Sequence, residues 1–472
     1  MELFLDPDDP RSRTTQLYEQ LRAAIMDGRL QPGDRLTPSR TAATELGLSR
    51  GTVAAAYGRL SAEGYVRGRS GGGSVVNPTA PQISPRAPVA ALQPTRRAAA
   101  ITGYAPEPPG QVRFDFRPGR LDPALFPAAD WRRCVLRALD RTPNQYDDPA
   151  GTPALRAALA HWVARSRGVA ATTETTFVTS GAGHALDLVA RVLVDPGAMV
   201  AVEEPGYPPA VAVLRSQGLR VVGVPVDDHG LVVDAIPHRV RLVYVTPSHQ
   251  YPLGMVMARD RRVELLQWAA RNGAAIVEDD YDSEFRHASR PLEPLQRLDR
   301  DGRVIYVGTF SKSLSPALRL GFLVAPPTLL PVLRATRKAI DWCPPPGTQQ
   351  AMTQFITDGY LDRHLRRSRR AYTERYRLMR RALDRFLPAG YRPLSAGAGL
   401  HIAVTGSRDA ADPDLQPIIR AHGLRASSLR LSYGFTAPTA GFLLGFAGLA
   451  TEQVVPAVRT FSAMLSAPAA SS

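Results

Sequence analysis

Between Asn77 and Gln111 the chain loses every periodic pattern. Pro78, Pro81, Pro85, Pro88 and Pro94 alternate with alanines and with Arg86, Arg96 and Arg97, and Pro106, Pro108 and Pro109 follow. Proline fixes φ and removes a backbone donor, so neither a helix nor a paired strand runs through such a stretch. It reads as a semi-stiff, positively charged linker. A chain of 472 residues also exceeds one ordinary core. Two bodies are therefore expected, at residues 10–77 and 112–472, joined by a linker over 78–111.

The first body is well punctuated. Leu17, Leu21 and Ile25 recur at helical spacing and Gly28 stops that helix. Thr37-Pro38-Ser39 opens a second, with Thr37 as cap and Pro38 at the first helical position. Gly47 ends it, and Ser49 caps a third that runs through Val53, Tyr57 and Leu60 to Gly64. Tyr65-Val66 and Ser74-Val75-Val76 then bracket a basic glycine-rich tip holding Arg67 and Arg69. Three helices and a two-stranded wing form a winged helix-turn-helix, and a small helical protein-interaction module is the alternative. In the DNA-binding reading the third helix enters the major groove by its N-terminal end. Arg50 and Thr52, beside Ser49 and on the helix that carries Tyr57, then reach base edges. Ser39, Arg40 and Arg69, with the basic Arg67, meet the phosphate backbone.

The formal net charge of +15 suits a polyanionic partner, nucleic acid first. Cys134 and Cys343 match no metal or redox spacing, no apolar run approaches membrane-spanning length, and Met1-Glu2-Leu3-Phe4 opens no signal peptide. A cytoplasmic protein without a metal site or membrane contact is expected. The run LYEQLRAAIMDGRLQPGDRLTPSRTAATELGLSRGTVAAAYGRLSAEGYV closely resembles the DNA-binding domain of GntR-type bacterial regulators. The resemblance implies binding to double-stranded DNA, with a dimer meeting an operator of two half-sites.

The second body alternates helices with short apolar strands, the signature of an α/β domain with a mainly parallel sheet. In such sheets ligands bind where strands end. Thr176–Thr179 is a strand followed by Ser180-Gly181-Ala182-Gly183-His184, where small residues let backbone N–H groups approach a phosphate. Tyr207 stands at the end of the strand 199–202, and Asp279 and Tyr281 at the end of Ala274–Val277. After Val304–Val307 comes GTFSKSLSPALRLG, in which Lys312 is flanked by Ser311 and Ser313, with Arg319 seven residues on. A partly desolvated lysine can lose its proton and condense with an aldehyde, and an arginine can grip a phosphate on the same ligand. A buried carboxylate is costly unless paired, and a protonated heteroaromatic nitrogen pairs it. Together these groups supply what pyridoxal 5'-phosphate needs: Lys312 for the Schiff base, Asp279 for the ring nitrogen and Tyr281 for the phenolic oxygen. Tyr207 would stack on the ring, and Gly181, Ala182, Gly183, Ser311 and Arg319 would surround the phosphate. Each motif alone is also consistent with ordinary turn, capping or loop chemistry.

ALFPAADW, YDDPAGTPALRAALAHWVARSRGV, VTSGAGHALDL, EEPGYP, TPSHQYPLG, VEDDYDSEF and GTFSKSLSPALRLG are similar, from about Phe114 to Leu465, to the fold-type I aminotransferase half of MocR-type regulators. The resemblance implies an aminotransferase-like domain with a smaller C-terminal α+β subdomain, used to sense pyridoxal phosphate itself or an amine or amino acid. It also implies a head-to-tail homodimer in which Tyr146 and the arm 126–131 enter the partner's pocket. In the phosphate turn Gly183 and His184 stand where the family usually has glutamine, and the chain departs from working aminotransferases in two further places. Tyr251-Pro252-Leu253-Gly254 replaces an N-P-x-G turn, and the run 441–446 lacks the arginine that grips a substrate carboxylate. Arg425 and Arg430 lie upstream and are the candidate effector contacts. Pro209 stands where relatives that sense γ-aminobutyrate carry a second arginine. Transamination is therefore expected to be slow at most. The competing reading is an aminotransferase with a fused DNA-binding domain. His184, His249 and His287 are expected to be structural.

Overall fold

The computed structural model describes residues 3–69, 73–80, 92–99, 101, 112–140, 146–287, 293–394, 397–406, 419 and 421–466. The wing tip 70–72, the side chain of Arg69, and linker residues 81–91, 100 and 102–111 lie outside these. The chain divides into two compact units, residues 1–93 and 94–472.

In the first unit, α1 (Arg13–Met26) is capped by the Ser12 hydroxyl, which accepts the Thr15 N–H at 3.2 Å. It buries Leu17, Leu21 and Ile25. α2 (Ser39–Leu46) starts one residue later than the sequence suggests, with Pro38 at the cap, and the Thr37 carbonyl accepts from the Tyr57 hydroxyl (2.8 Å). Gly47 closes it at φ 64°. In α3 (Arg50–Ala62), Ser49 caps through the Thr52 N–H at 3.1 Å, and Val53, Ala56 and Leu60 face the core. β1 (Val66–Arg69) and β2 (Gly73–Val76) pair antiparallel as the wing, and Arg35 bridges to Val75.

The second unit is built on a sheet of eight strands. These are β4 (Thr176–Thr179), β5 (Met199–Glu204), β6 (Arg220–Asp227), β7 (Gly230–Leu231), β8 (Val240–Val245), β9 (Ala275–Asp280), β10 (Val304–Thr309) and β11 (Gly321–Val324), and their order across the sheet is β4-β11-β10-β9-β8-β5-β6-β7. Strands β6, β5, β8, β9 and β10 are mutually parallel, and β11 is antiparallel between β10 and β4. Near-continuous burial of β4, β5, β8, β9, β10 and β11 fits a sheet covered on both faces. Preceding it, β3 (Phe114–Asp115) pairs with β14 (Leu424–Arg425). A smaller sheet is formed by β12 (Tyr391–Leu394), β13 (His401–Gly406), β16 (Gly441–Gly445) and β15 (Ser427–Ser428), in that order. The helix Tyr360–Phe386 precedes it. Within the linker span, Arg96–Ala99 forms one helical turn, started by the Thr95 hydroxyl on the Ala98 N–H (3.2 Å). A single turn needs no period to announce it.

Candidate cofactor and DNA-binding sites

β9 and β10 run parallel with Asp279 opposite Val307 and Asp280 opposite Gly308, so their carboxyl ends open side by side. Lys312 sits half-buried in the turn beyond β10. A Cβ on Gly119 would lie 2.3 Å from the Lys312 Nζ, so glycine at φ 82° is what lets that backbone close over the amine. Burial draws the lysine pKa down, against the Asp282 and Asp279 carboxylates, which hold it up.

Asp279 is buried at the end of β9. Its Oδ2 accepts from the Tyr244 hydroxyl at 2.6 Å, and its buried Oδ1 has no partner. Burial pushes its pKa up to about 7, with the Tyr244 hydrogen bond working the other way. Two residues on, the Tyr281 hydroxyl lies 2.9 Å from Nδ1 of His249, which is also 3.0–3.1 Å from both oxygens of Asp282. A carboxylate facing Nδ1 keeps the imidazole proton there. The Tyr281 oxygen then accepts from His249 and its own proton is left to point at a ligand oxygen. Burial holds Tyr281 well above the usual tyrosine pKa, hence protonated. His401 packs beside His249 at 4.8 Å between ring centres, and its Nε2 donates to the Pro252 carbonyl (3.0 Å). His249, Asp282 and His401 have the composition of a metal site, but these hydrogen bonds already account for the arrangement.

The turn after β4 meets the exit of β10 across Gly321. A Cβ on Gly321 would fall 2.8 Å from the Gly308 carbonyl oxygen and 2.9 Å from the Gly181 Cα. Arg319, at φ 48°, donates to the Ser180 carbonyl (2.7 Å) and lies along Gly181. Ala182 and Gly183 open the helix Ala182–Leu193, whose first N–H groups lack intrahelical partners. Ser311 is tied to Thr309 through backbone (3.2 Å) and hydroxyl (3.1 Å). His184 braces the turn, its Nδ1 accepting the Ser180 N–H at 3.0 Å, and burial lowers its pKa to about 4. His287 stacks on Tyr376 and bonds the Gly399 carbonyl (2.8 Å).

Tyr207 meets Tyr251 edge-on at 5.1 Å, and Tyr251 meets Tyr281 at 6.4 Å, which forms an aromatic wall. The Glu204 carboxylate, just before it, accepts N–H groups from Gly434, Phe435 and Thr436 at 2.9–3.2 Å. The Gly206 N–H bonds the Ser432 carbonyl (2.9 Å). This docks the turn Leu429–Ser432, and with it the exposed Arg430, beside the aromatic wall. Arg425 lies half-buried in β14, opposite Asp115. Leu443, in the run that lacks an arginine, clusters with Leu429 and Ala403, with Tyr251 and Leu253 packed on them. Tyr146 is 70% exposed and stacks on Trp342 at 4.4 Å, whereas Phe126 and Trp131 pack on this chain's own core.

In the first unit Arg40, Arg50 and Arg67 are exposed without ion pairs among the described residues. Ser39 and Thr52 are half-buried. The hydroxyls of Ser49 and Tyr57 serve the cap and the α2 entry.

Sequence reading missed Tyr244, Gly119, Glu204 and the pairing of Asp282 with His249. Only Asp282, three residues after Asp279, carried a usable signal.

The described groups fit pyridoxal phosphate: an orphaned buried carboxylate oxygen for a ring N–H, a desolvated amine, and an arginine with free helix N–H groups. The family model for aminotransferase class I and II matches residues 121–437, and that for bacterial regulatory proteins of the gntR family matches 13–76. The "Probable rhizopine catabolism regulatory protein MocR" of Rhizobium meliloti is 38% identical over 466 residues, covering 95% of this chain and 92% of that protein. The pyridoxine biosynthesis transcriptional regulator PdxR of Corynebacterium glutamicum is 34% identical, covering 94% of each. The α-aminoadipate aminotransferase LysN of Thermus thermophilus, solved with N-(5'-phosphopyridoxyl)-L-leucine, superposes with a TM-score of 0.69 at 28% identity. It covers 79% of this chain and 94% of that one.

Proposed function

The chain belongs to the MocR-type transcriptional regulators, in which a GntR-type winged helix precedes an aminotransferase-like domain, and on that premise we propose that Lys312 and Asp279 hold pyridoxal 5'-phosphate whose state controls DNA binding. The observation that carries this is the unpartnered, buried Oδ1 of Asp279. When bound, the cofactor supplies an aldehyde for amines and a ring that withdraws electrons once its nitrogen is protonated. Asp279 holds the proton on that nitrogen, and Tyr281, aimed by His249 and Asp282, donates to the phenolic oxygen. Tyr207 covers the ring, and Ser311, Arg319 and the N–H groups of Ala182 and Gly183 take the phosphate. Lys312, desolvated, presents the nucleophilic amine.

The signal is pyridoxal phosphate itself or an amino compound whose far end meets Arg430 or Arg425. The apolar cluster at Leu443 offers a carboxylate no cation, which favours sensing over turnover. The exposed Tyr146–Trp342 stack suits a head-to-tail homodimer, whose paired winged helices would read two operator half-sites in the cytoplasm. The test is DNA affinity measured with cofactor, without it, and with cofactor plus amines or amino acids, beside transamination of the same compounds. Affinity should change with cofactor state and turnover should stay below about 1 per second. DNA binding indifferent to every state would overturn the reading, and faster turnover would favour an aminotransferase with a fused DNA-binding domain.

A further inference from the structure

The helix Tyr360–Phe386, 27 residues long, buries Leu361, Leu365, Tyr372, Met379 and Leu383 on one side. On the other, Arg366, Arg370, Arg377 and Arg381 are exposed, and none makes an ion pair or side-chain hydrogen bond among the described residues. At about 100° per residue these four fall within an arc of about 60°, and at about 1.5 Å per residue the row spans about 22 Å. Arg363 extends it, with a loose 3.9 Å contact to Asp130. The acids on the same side do little to neutralise it. Glu374 is exposed at the edge of the row, and Asp384 is taken by Arg380 at 3.0 Å. Like charges one turn apart destabilise a helix. A row with no internal partners is therefore expected to have an external one.

That partner is polyanionic and rod-like. None of the large exposed apolar side chains lies on this helix, so it offers nothing to a membrane interior or an apolar groove. A straight cationic row of about 22 Å matches a run of backbone phosphates, and arginine forks bind phosphate in two-point contacts. We propose that this face of the aminotransferase-like domain is a second contact surface for double-stranded DNA, sequence-independent and additional to the winged helix. It rests on the DNA-binding reading only in the choice of polyanion.

The test uses the full chain with Arg366, Arg370, Arg377 and Arg381 all changed to Gln, and again all to Lys. Binding to a 60-base-pair random-sequence duplex is followed as salt is varied. Each lost phosphate contact lowers the slope of log K against log salt by about 0.9, so the Gln variant should lose up to ~3.6 from the slope and the Lys variant little. Tryptophan fluorescence unfolding of both variants should match the parent. An unchanged slope in the Gln variant overturns the proposal. So does a Gln effect confined to an RNA hairpin or to phosphatidylglycerol vesicles. Failure of the winged-helix reading would show separately, as duplex binding indifferent to Arg50→Gln.

Discussion

Asp279→Asn separates what this carboxylate costs from what it does. Burial lifts the Asp279 carboxyl from the ordinary 3.8 to about 7. The folded state therefore holds an extra proton between those values, and stability falls as pH rises from about 4 to about 7. That rise from 3.8 to about 7, at about 1.36 kcal/mol per pH unit, sets an upper bound of ~4 kcal/mol forfeited above pH 7. Asparagine removes the charge and still accepts from Tyr244, but leaves an unpartnered N–H that costs about 1–3 kcal/mol. The variant should therefore be more stable than the parent by about 1–3 kcal/mol at pH 8. The gap should close and reverse towards pH 4.5, where both side chains are neutral. Glu203, Glu278 and Glu284 are also raised to about 7 by burial, so the parent's own pH slope is a sum, and only the difference between the two proteins isolates Asp279. Urea unfolding followed by tryptophan fluorescence suits the measurement, because Trp131, Trp162, Trp268 and Trp342 all lie in the second unit. A stability difference that does not vary with pH would refute the reasoning. So would undiminished cofactor affinity in the variant.

Borohydride should fix pyridoxal phosphate covalently to the parent protein and not to Lys312→Ala, whose one remaining lysine is Lys338, and mass spectrometry of the reduced proteins checks this. Asp282→Asn releases the His249 proton and with it the aim of the Tyr281 hydroxyl. The pH midpoint of the bound cofactor's visible band should then move up, and an unmoved midpoint would remove Asp282 from that role. Arg50→Ala should weaken specific operator binding by about 1–3 kcal/mol, and an equal loss on random duplex would make Arg50 a phosphate contact. Ser49→Ala should lower the stability of the winged-helix unit by about 1 kcal/mol, read by circular dichroism.

Much of this was legible in the sequence because the informative residues sit at strand exits. Asp279, Tyr281 and Lys312 each follow an apolar run short enough to be read as a strand, and in a parallel sheet strand exits gather at one edge. The winged helix was legible through its caps, Ser49 above all. The rest depends on tertiary approach. Gly119 is nearly two hundred residues from Lys312 and closes on it only once the backbone is folded. Tyr244 reads as one more apolar residue of β8 until register brings its hydroxyl to Asp279. The Tyr57 hydroxyl, twenty positions on, reaches the Thr37 carbonyl at the entry to α2, a contact no local pattern records.

The Glu204 clamp makes one mechanical piece of two subdomains. A single carboxylate at the end of β5 gathers three successive N–H groups of the segment 434–436, and Gly206 fastens Ser432. Tyr207, directly after these two fastenings, cannot shift to admit a thicker ligand without dragging that segment. The segment leads through a few residues into β16, one of the two inner strands of the small sheet. A displacement of the ring wall is thus delivered to the far subdomain as a rigid tug, and the clamp sets how little slack there is in the line.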